Sequence, residues 1–319
     1  MRIATIRRLA SLVLLGLAGC YAQAQSDSPV HQAPMLERYG KPYVMVTING
    51  KGPFRFVIDT GTGGDALVTP ALADQLGLPT VGHAKLSDPS GQGGKHAPIV
   101  LLDTLEVAGV QFTGIRALSH PFFIEAGACD GVLGFTLFRD YLLTLDFPNR
   151  VVILTTGGLA PDGGKSVLSF RMPEGIPVAS LKVDGLEPVE AQLDSGGGGL
   201  VIPEKLAAHL KYDIDPVVFA SGHSVSTRFE MKAAKLASDV KLGRYTFTHP
   251  VVEIQPAFPL INFGSPPMQI FAITFDQKNL LVRFTANQKK FTLSAPPYPM
   301  RLTNAPVYNP PPPDLVPVG

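Results

Sequence analysis

One property of this 319-residue chain limits its possible folds more than any other: it carries the same unusual signature twice. "FVIDTGTGGDALVTP" occupies Phe56–Pro70, and "AQLDSGGGGLVIP" occupies Ala191–Pro203. Each places an acid, a small hydroxyl residue and a run of glycines behind an apolar, strand-like stretch. Asp59-Thr60-Gly61-Thr62-Gly63-Gly64 aligns with Asp194-Ser195-Gly196-Gly197-Gly198-Gly199, and Leu67-Val68-Thr69-Pro70 with Leu200-Val201-Ile202-Pro203. Farther on, Val132-Leu133-Gly134 answers to Asn262-Phe263-Gly264, and Leu145-Asp146 with Asn149 answers to Phe275-Asp276 with Asn279. Gly134/Gly264, Asp146/Asp276 and Asn149/Asn279 share one offset, the mark of a duplicated supersecondary unit.

Within each unit the pattern is all-β with one or two short helices. The chain holds 32 Gly and 30 Pro among many Val/Ile/Thr/Phe runs, which favours short strands joined by turns. Tyr43–Asn49 and Phe54–Ile58 flank Gly50-Lys51-Gly52-Pro53, a hairpin signal; Val178–Val183 and Val189–Leu193 flank Asp184-Gly185-Leu186-Glu187-Pro188 in the same way. Pro70 and Pro203 each open a short amphipathic stretch, Ala71–Leu78 and Glu204–Leu210. Apolar strand runs are expected at Val151–Leu154 and Leu280–Phe284. The reading divides the chain into lobes at 40–156 and 166–292, joined by a linker at 157–165 and preceded by one at 20–39. Residues 293–319 carry nine Pro in 27 positions and read as an extended tail.

The first 19 residues read as a signal peptide: Arg2, Arg7 and Arg8 precede an apolar run from Leu9 to Ala18, too short to cross a membrane. The run ends Leu17-Ala18-Gly19-Cys20, which resembles the lipobox of bacterial lipoproteins. That resemblance implies cleavage before Cys20, acylation of its thiol and a membrane anchor, facing the periplasm and at the outer membrane of a Gram-negative host. Ordinary signal cleavage after Ala22-Gln23-Ala24 is the other reading; either exports the protein. Cys129 is the one remaining cysteine, without a base signature beside it, and reads as a small buried residue and not as a nucleophile. A net charge of +1 offers no basic patch for nucleic acid.

Hydrophobic-hydrophobic-Asp-[Thr/Ser]-Gly, followed much later by hydrophobic-hydrophobic-Gly, resembles the signature of one lobe of an aspartic protease of the pepsin–retropepsin clan. Two copies in one chain are similar to the short bacterial proteins with two retropepsin-like halves, over about residues 40–292. The resemblance implies two pseudo-two-fold-related β-barrel lobes with the active-site cleft between them. It implies Asp59 and Asp194 as the catalytic pair, supported by Thr60, Gly61, Ser195 and Gly196. Two adjacent carboxyls share one proton, so one serves as base toward water while the other serves as acid. In the family the two hydroxyls cross-link the loops, and a Gly-containing hairpin closes over substrate. Leu86–Lys95 and Ala220–Phe229 take that place, with Gly91, Gln92, Gly93, Ser221 and Gly222 as flap residues toward substrate. Neither segment has the flap Tyr of pepsin-like enzymes, Thr62 and Gly197 stand where Ala or Ser is usual, and Asn262 stands where an aliphatic residue is expected.

Other chemistries fit poorly. Gly61-Thr62-Gly63 with Ala66 meets a dinucleotide fingerprint, but no βαβ alternation follows and Val201 fills the required small position in the second copy. Gly164-Lys165-Ser166 misses a phosphate loop by one residue, the seven His lack metal-ligand spacing, and no nucleophile elbow occurs. Neither a metal nor a cofactor is expected. Two function classes remain: an exported aspartic endopeptidase acting on a peptide or protein substrate, or a catalytically silent, membrane-tethered peptide-binding protein. Because one chain carries both motifs, a monomer is expected.

Overall fold

The computed structural model describes residues 29–38, 40–86, 95–121, 129–223 and 228–294. The protein is mostly β, with a few short helices. Both lobes share one construction. In the first, Lys51–Asp59 runs parallel to Gly131–Gly134, and Ala66–Val68 lies against Gly131–Gly134 in the opposite sense while pairing in parallel with Val110–Ser119. In the second, Val189–Leu193, Ile261–Phe263, Leu200–Pro203 and Val251–Gln255 repeat each pairing. Each acid thus emerges from the end of a central strand: Asp59 lies opposite Gly134, and Leu193, just before Asp194, lies opposite Phe263.

The lobes join edge to edge. Leu142–Asp146 of the first pairs antiparallel with Ala272–Asp276 of the second, in the register Leu142 to Asp276, Thr144 to Thr274 and Asp146 to Ala272. The pseudo-two-fold axis passes between the two threonines, whose hydroxyl oxygens are 2.9 Å apart. Val151–Thr155 and His31–Pro34 extend this seam on one side; Leu281–Thr285 and Val167–Arg171 extend it on the other. Beneath it Phe135 and Phe275 meet edge to face at 5.1 Å, so a single apolar core runs through both halves. Burying large aromatic side chains across a seam couples the lobes' stabilities, at about 2 kcal/mol for each.

Several details depart from the sequence reading. Paired residues set the true alignment at Leu67 with Val201, one position off the matched Leu-Val runs, because two glycines separate Thr62 from Asp65 whereas one separates Gly197 from Gly199. Pro70 is therefore the first residue of the helix Pro70–Leu76, capped by the Thr69 hydroxyl accepting from Leu72 N–H at 3.2 Å. Pro203 instead closes a strand, and the helix after it, Glu204–Ala207, lasts four residues. The strand expected from Leu280 begins at Leu281, because Leu280, like Arg150 at the same place in the first lobe, sits at positive φ. Within the stretch read as an N-terminal linker, His31–Pro34 and Leu36–Arg38 are strands. The inter-lobe connection is tied down: Asp162 accepts from the backbone N–H of Lys165, Ser166 and Val167, and Asp276 accepts from Leu159 N–H. The signal peptide, Cys20 and the tail from 295 onward lie outside the described residues.

Candidate active site

The two glycine-rich loops meet at the pseudo-two-fold axis. Thr60 and Ser195, both fully buried, cross-link them. The Thr60 hydroxyl donates to Leu193 C=O at 2.7 Å and accepts from Ser195 N–H at 2.9 Å. The Ser195 hydroxyl donates to Ile58 C=O at 2.7 Å and accepts from Thr60 N–H at 3.1 Å. A hydroxyl is the one small group that both donates and accepts, so Thr or Ser here saturates four backbone groups that would otherwise be orphaned.

This clamp makes the carboxyls of Asp59 and Asp194 converge, each against the other loop's glycine. The glycines explain how. A Cβ on Gly61 would sit 2.4 Å from Asp194 Cγ, and one on Gly196 would sit 2.3 Å from Asp59 Cγ. Each loop thus leaves room for the other's carboxyl. Each also supplies a donor: Gly61 N–H to Asp59 Oδ1 at 2.8 Å, and Gly196 N–H to Asp194 Oδ1 at 3.0 Å. Gln192 adds a long bond from its amide to Gly61 C=O.

The pair is not symmetric in its surroundings. Asp194 is 6% exposed, whereas Asp59 is half-buried. Burial first, and the charge of Asp59 second, push Asp194 up to about 7, against an opposing contribution from the Asn262 amide. Like charges so close disfavour ionising both carboxyls at once, which is the direction in which Asp194 is pushed. That arrangement can polarise a water with one member while protonating a carbonyl or leaving group with the other.

The remaining predicted site residues fall in two places. The hairpin Thr80–Leu86 with Lys95–Val107 is paired up to Leu86 and Lys95, but Gly91, Gln92 and Gly93, between those two residues in sequence, lie outside the described residues. In the second lobe Ser221 pairs with Glu230 and Gly222 with Phe229, near the end of the hairpin Tyr212–His223 with Arg228–Leu236; Ser221 is exposed. Cys129 is buried, and burial pushes its thiol up to about 11, as suits an inert core residue. Among the described residues, no group of three or more His, Cys, Asp or Glu side chains is arranged to hold a metal ion.

One buried acid escaped the sequence reading. Glu253 is 1% exposed, its Oε1 has no hydrogen-bond partner among the described residues, and burial pushes it up to about 7. It lies under the second glycine run, where a Cβ on Gly199 would be 2.4 Å from Oε1. A lone acid inside the run Val-Val-Glu-Ile-Gln was the available signal.

Duplicated strand-borne acids, a reciprocal hydroxyl clamp and glycines shaped to the opposite carboxyl define a two-lobed protein of the aspartic-protease fold. The chain belongs to the aspartyl protease family, whose model matches residues 44–137 and again 179–271, once per lobe and over half of the chain. No curated protein matches it.

Proposed function

We propose that the protein is an aspartic endopeptidase in which Asp59 and Asp194 hydrolyse a peptide bond through a water held between them. The observation that carries this reading is the convergence of two carboxyls, each seated against the other loop's glycine, across loops clamped by the Thr60/Ser195 hydrogen bonds. The unprotonated member takes a proton from the water as its oxygen attacks the scissile carbonyl carbon. The protonated member gives its proton to the carbonyl oxygen, forming a neutral gem-diol. Collapse of the diol breaks the C–N bond: one proton passes to the departing nitrogen, one hydroxyl proton returns to the dyad, and no metal or covalent intermediate is required. The two hairpins, carrying Gly91–Gly93 and Ser221–Gly222, are proposed to flank the bound peptide.

The leader and Cys20 support placement in the cell envelope, with the thiol acylated and the protease domain facing the periplasm as a monomer. Cys20→Ser then releases the protein from the membrane fraction; unchanged membrane association overturns this part. For the chemistry, the purified chain is incubated with a peptide library from about pH 3 to pH 8, beside the Asp59→Asn variant. Cleavage in the wild type, lost in the variant, supports the reading. Pepstatin-competable peptide binding without cleavage by either moves the protein to the silent-binder class.

A further inference from the structure

The second lobe carries a polar row that the first lobe lacks. Strand register places Gln192, Asn262, Val201 and Glu253 side by side on adjacent strands. The corresponding row of the first lobe is Val57, Val132, Leu67 and Leu118, apolar throughout. Asn262 is fully buried, and its Nδ2 donates to Asp194 Oδ2 at 2.6 Å, while its Oδ1 has no partner among the described residues. Val132, at the same place beneath Asp59, cannot donate to anything.

We infer that Asn262 is a positioning residue for the dyad, whose amide fixes the plane of the Asp194 carboxyl and makes the two acids chemically unequal. Resting on the hydrolytic reading above, this inference assigns a role within the same site to a residue that the duplicated pattern reserves for an aliphatic side chain.

Three observations converge on it. First, within its own lobe Asp194 accepts through both oxygens, from Gly196 N–H and from Asn262, whereas Asp59 accepts from Gly61 N–H alone within its lobe among the described residues. A carboxyl held at both oxygens cannot rotate about its Cβ–Cγ bond. Second, the loop has conceded the space. A Cβ on Gly197 would lie 2.7 Å from Asn262 Oδ1 and 2.9 Å from Asp194 Oδ2, so no loop side chain fits beside the carboxyl while Asn262 occupies the site. The first lobe has Thr62 at that loop position and Val132 on the strand, the reverse allocation of polar and apolar side chains. Third, burying an amide costs stability unless it bonds, and half of this amide remains unbonded. Such a group is retained for its contact with Asp194, since an aliphatic residue would fill the strand position at lower cost.

The physical consequence has a definite sign. An amide donating to a carboxyl oxygen favours the ionised form. Together with the charge of Lys41, it opposes the burial and the Asp59 charge that hold the proton on the pair. Removing the donor therefore makes the shared proton harder to lose.

The test is Asn262→Val, which installs the residue type of the first lobe, read by two measurements on the purified chain. In the pH–rate profile, the limb on which the dyad loses its proton moves up by about one to two pH units, the size expected for one hydrogen bond to a charged group. kcat falls with little change in KM. In a carboxyl-carbon NMR titration, which needs no turnover, Asp194 shifts in the same direction and by a similar amount. Should Asn262→Val not fold, Asn262→Ser, smaller and too short to reach the carboxyl, is read by the same titration. An unmoved Asp194 titration in a folded variant overturns the inference, even if stability has dropped. A wild type that cleaves nothing while its Asp194 titration still responds to Asn262→Val removes the hydrolytic reading and leaves the positioning contact standing.

Discussion

Glu253→Gln separates a titrating core group from the rest of the protein's acid response. In the folded protein Glu253 is raised from 4.5 to about 7 by burial alone. Its neighbours across the paired strands, Val201 and Ala233, are apolar, and the Gln255 amide reaches Oε2 only at 3.5 Å. Because the folded-state value lies above the unfolded one, the stabilisation is complete below about pH 4.5. It is then lost progressively as pH rises, until Glu253 ionises in place near pH 7. About two and a half units at 1.36 kcal/mol each give a loss of about 3 kcal/mol across that window. That is a large share of a typical domain's stability of about 5–15 kcal/mol. Glutamine keeps the shape and cannot ionise. Urea unfolding at about pH 4.5 and about pH 8 is measured for both proteins. The wild type loses about 3 kcal/mol more than the variant between the two conditions. Equal losses in wild type and variant would refute the argument, since Glu253 would then be solvated or paired in the folded state.

Asp59→Asn and Asp194→Asn each abolish peptide hydrolysis while retaining the fold, and the double variant is scarcely worse, because the two acids act as one unit; initial rates and circular dichroism check this. Thr60→Val orphans Leu193 C=O and Ser195 N–H, so it lowers stability by about 2 kcal/mol in urea unfolding, and Ser195→Ala does the same from the opposite loop. Activity of the wild type falls as pH rises through about 7, where Asp194 surrenders the shared proton; a profile flat from about pH 5 to pH 9 would contradict a proton-sharing pair. Gly199→Ala drives a methyl group against the buried Glu253 side chain, contacting it from Oε1 back to Cγ, and lowers stability by about 1–3 kcal/mol, readable as a fall in Tm.

Much of this architecture was legible because the repeat is a statement about pairing. Gly134 and Gly264 recur at one offset since each lies beside the other strand's carboxyl-terminal end, where a Cβ would strike the glycine-loop backbone at 2.2 and 2.5 Å. The pairs Asp146/Asn149 and Asp276/Asn279 recur because each aspartate caps its own turn through the same two hydrogen bonds. Hairpin strands at Val178–Val183 and Val189–Leu193 followed from turn residues and alternation. The one-residue slip between Leu67 and Leu200 was not legible: a run of glycines has no side chains with which to count loop length. Nor was the strand His31–Pro34, whose His-Gln-Ala-Pro carries no β signal and is held by the edge of Val151–Thr155. The polar row was half visible. Asn262 broke an aliphatic pattern, but only strand register reveals that it, Gln192 and Glu253 lie in line across the sheet.

The seam at Thr144 and Thr274 has a consequence for what half of this chain would do alone. Leu142 pairs with Asp276 and Asp146 with Ala272, and Asp276 is itself the counterpart of Asp146. The edge of the first half is therefore built to accept a strand running antiparallel and centred on a threonine, which is a description of that same edge turned through half a rotation. Cut at 157–165, the first half would present a self-complementary surface, and two copies could associate isologously about Thr144. Such a pair would bring Asp59 up against a second Asp59. Covalent linkage replaces that obligatory encounter between two molecules by an intramolecular one. It also frees the two halves to differ, and Asn262 opposite Val132 is a difference that a symmetric dimer cannot have.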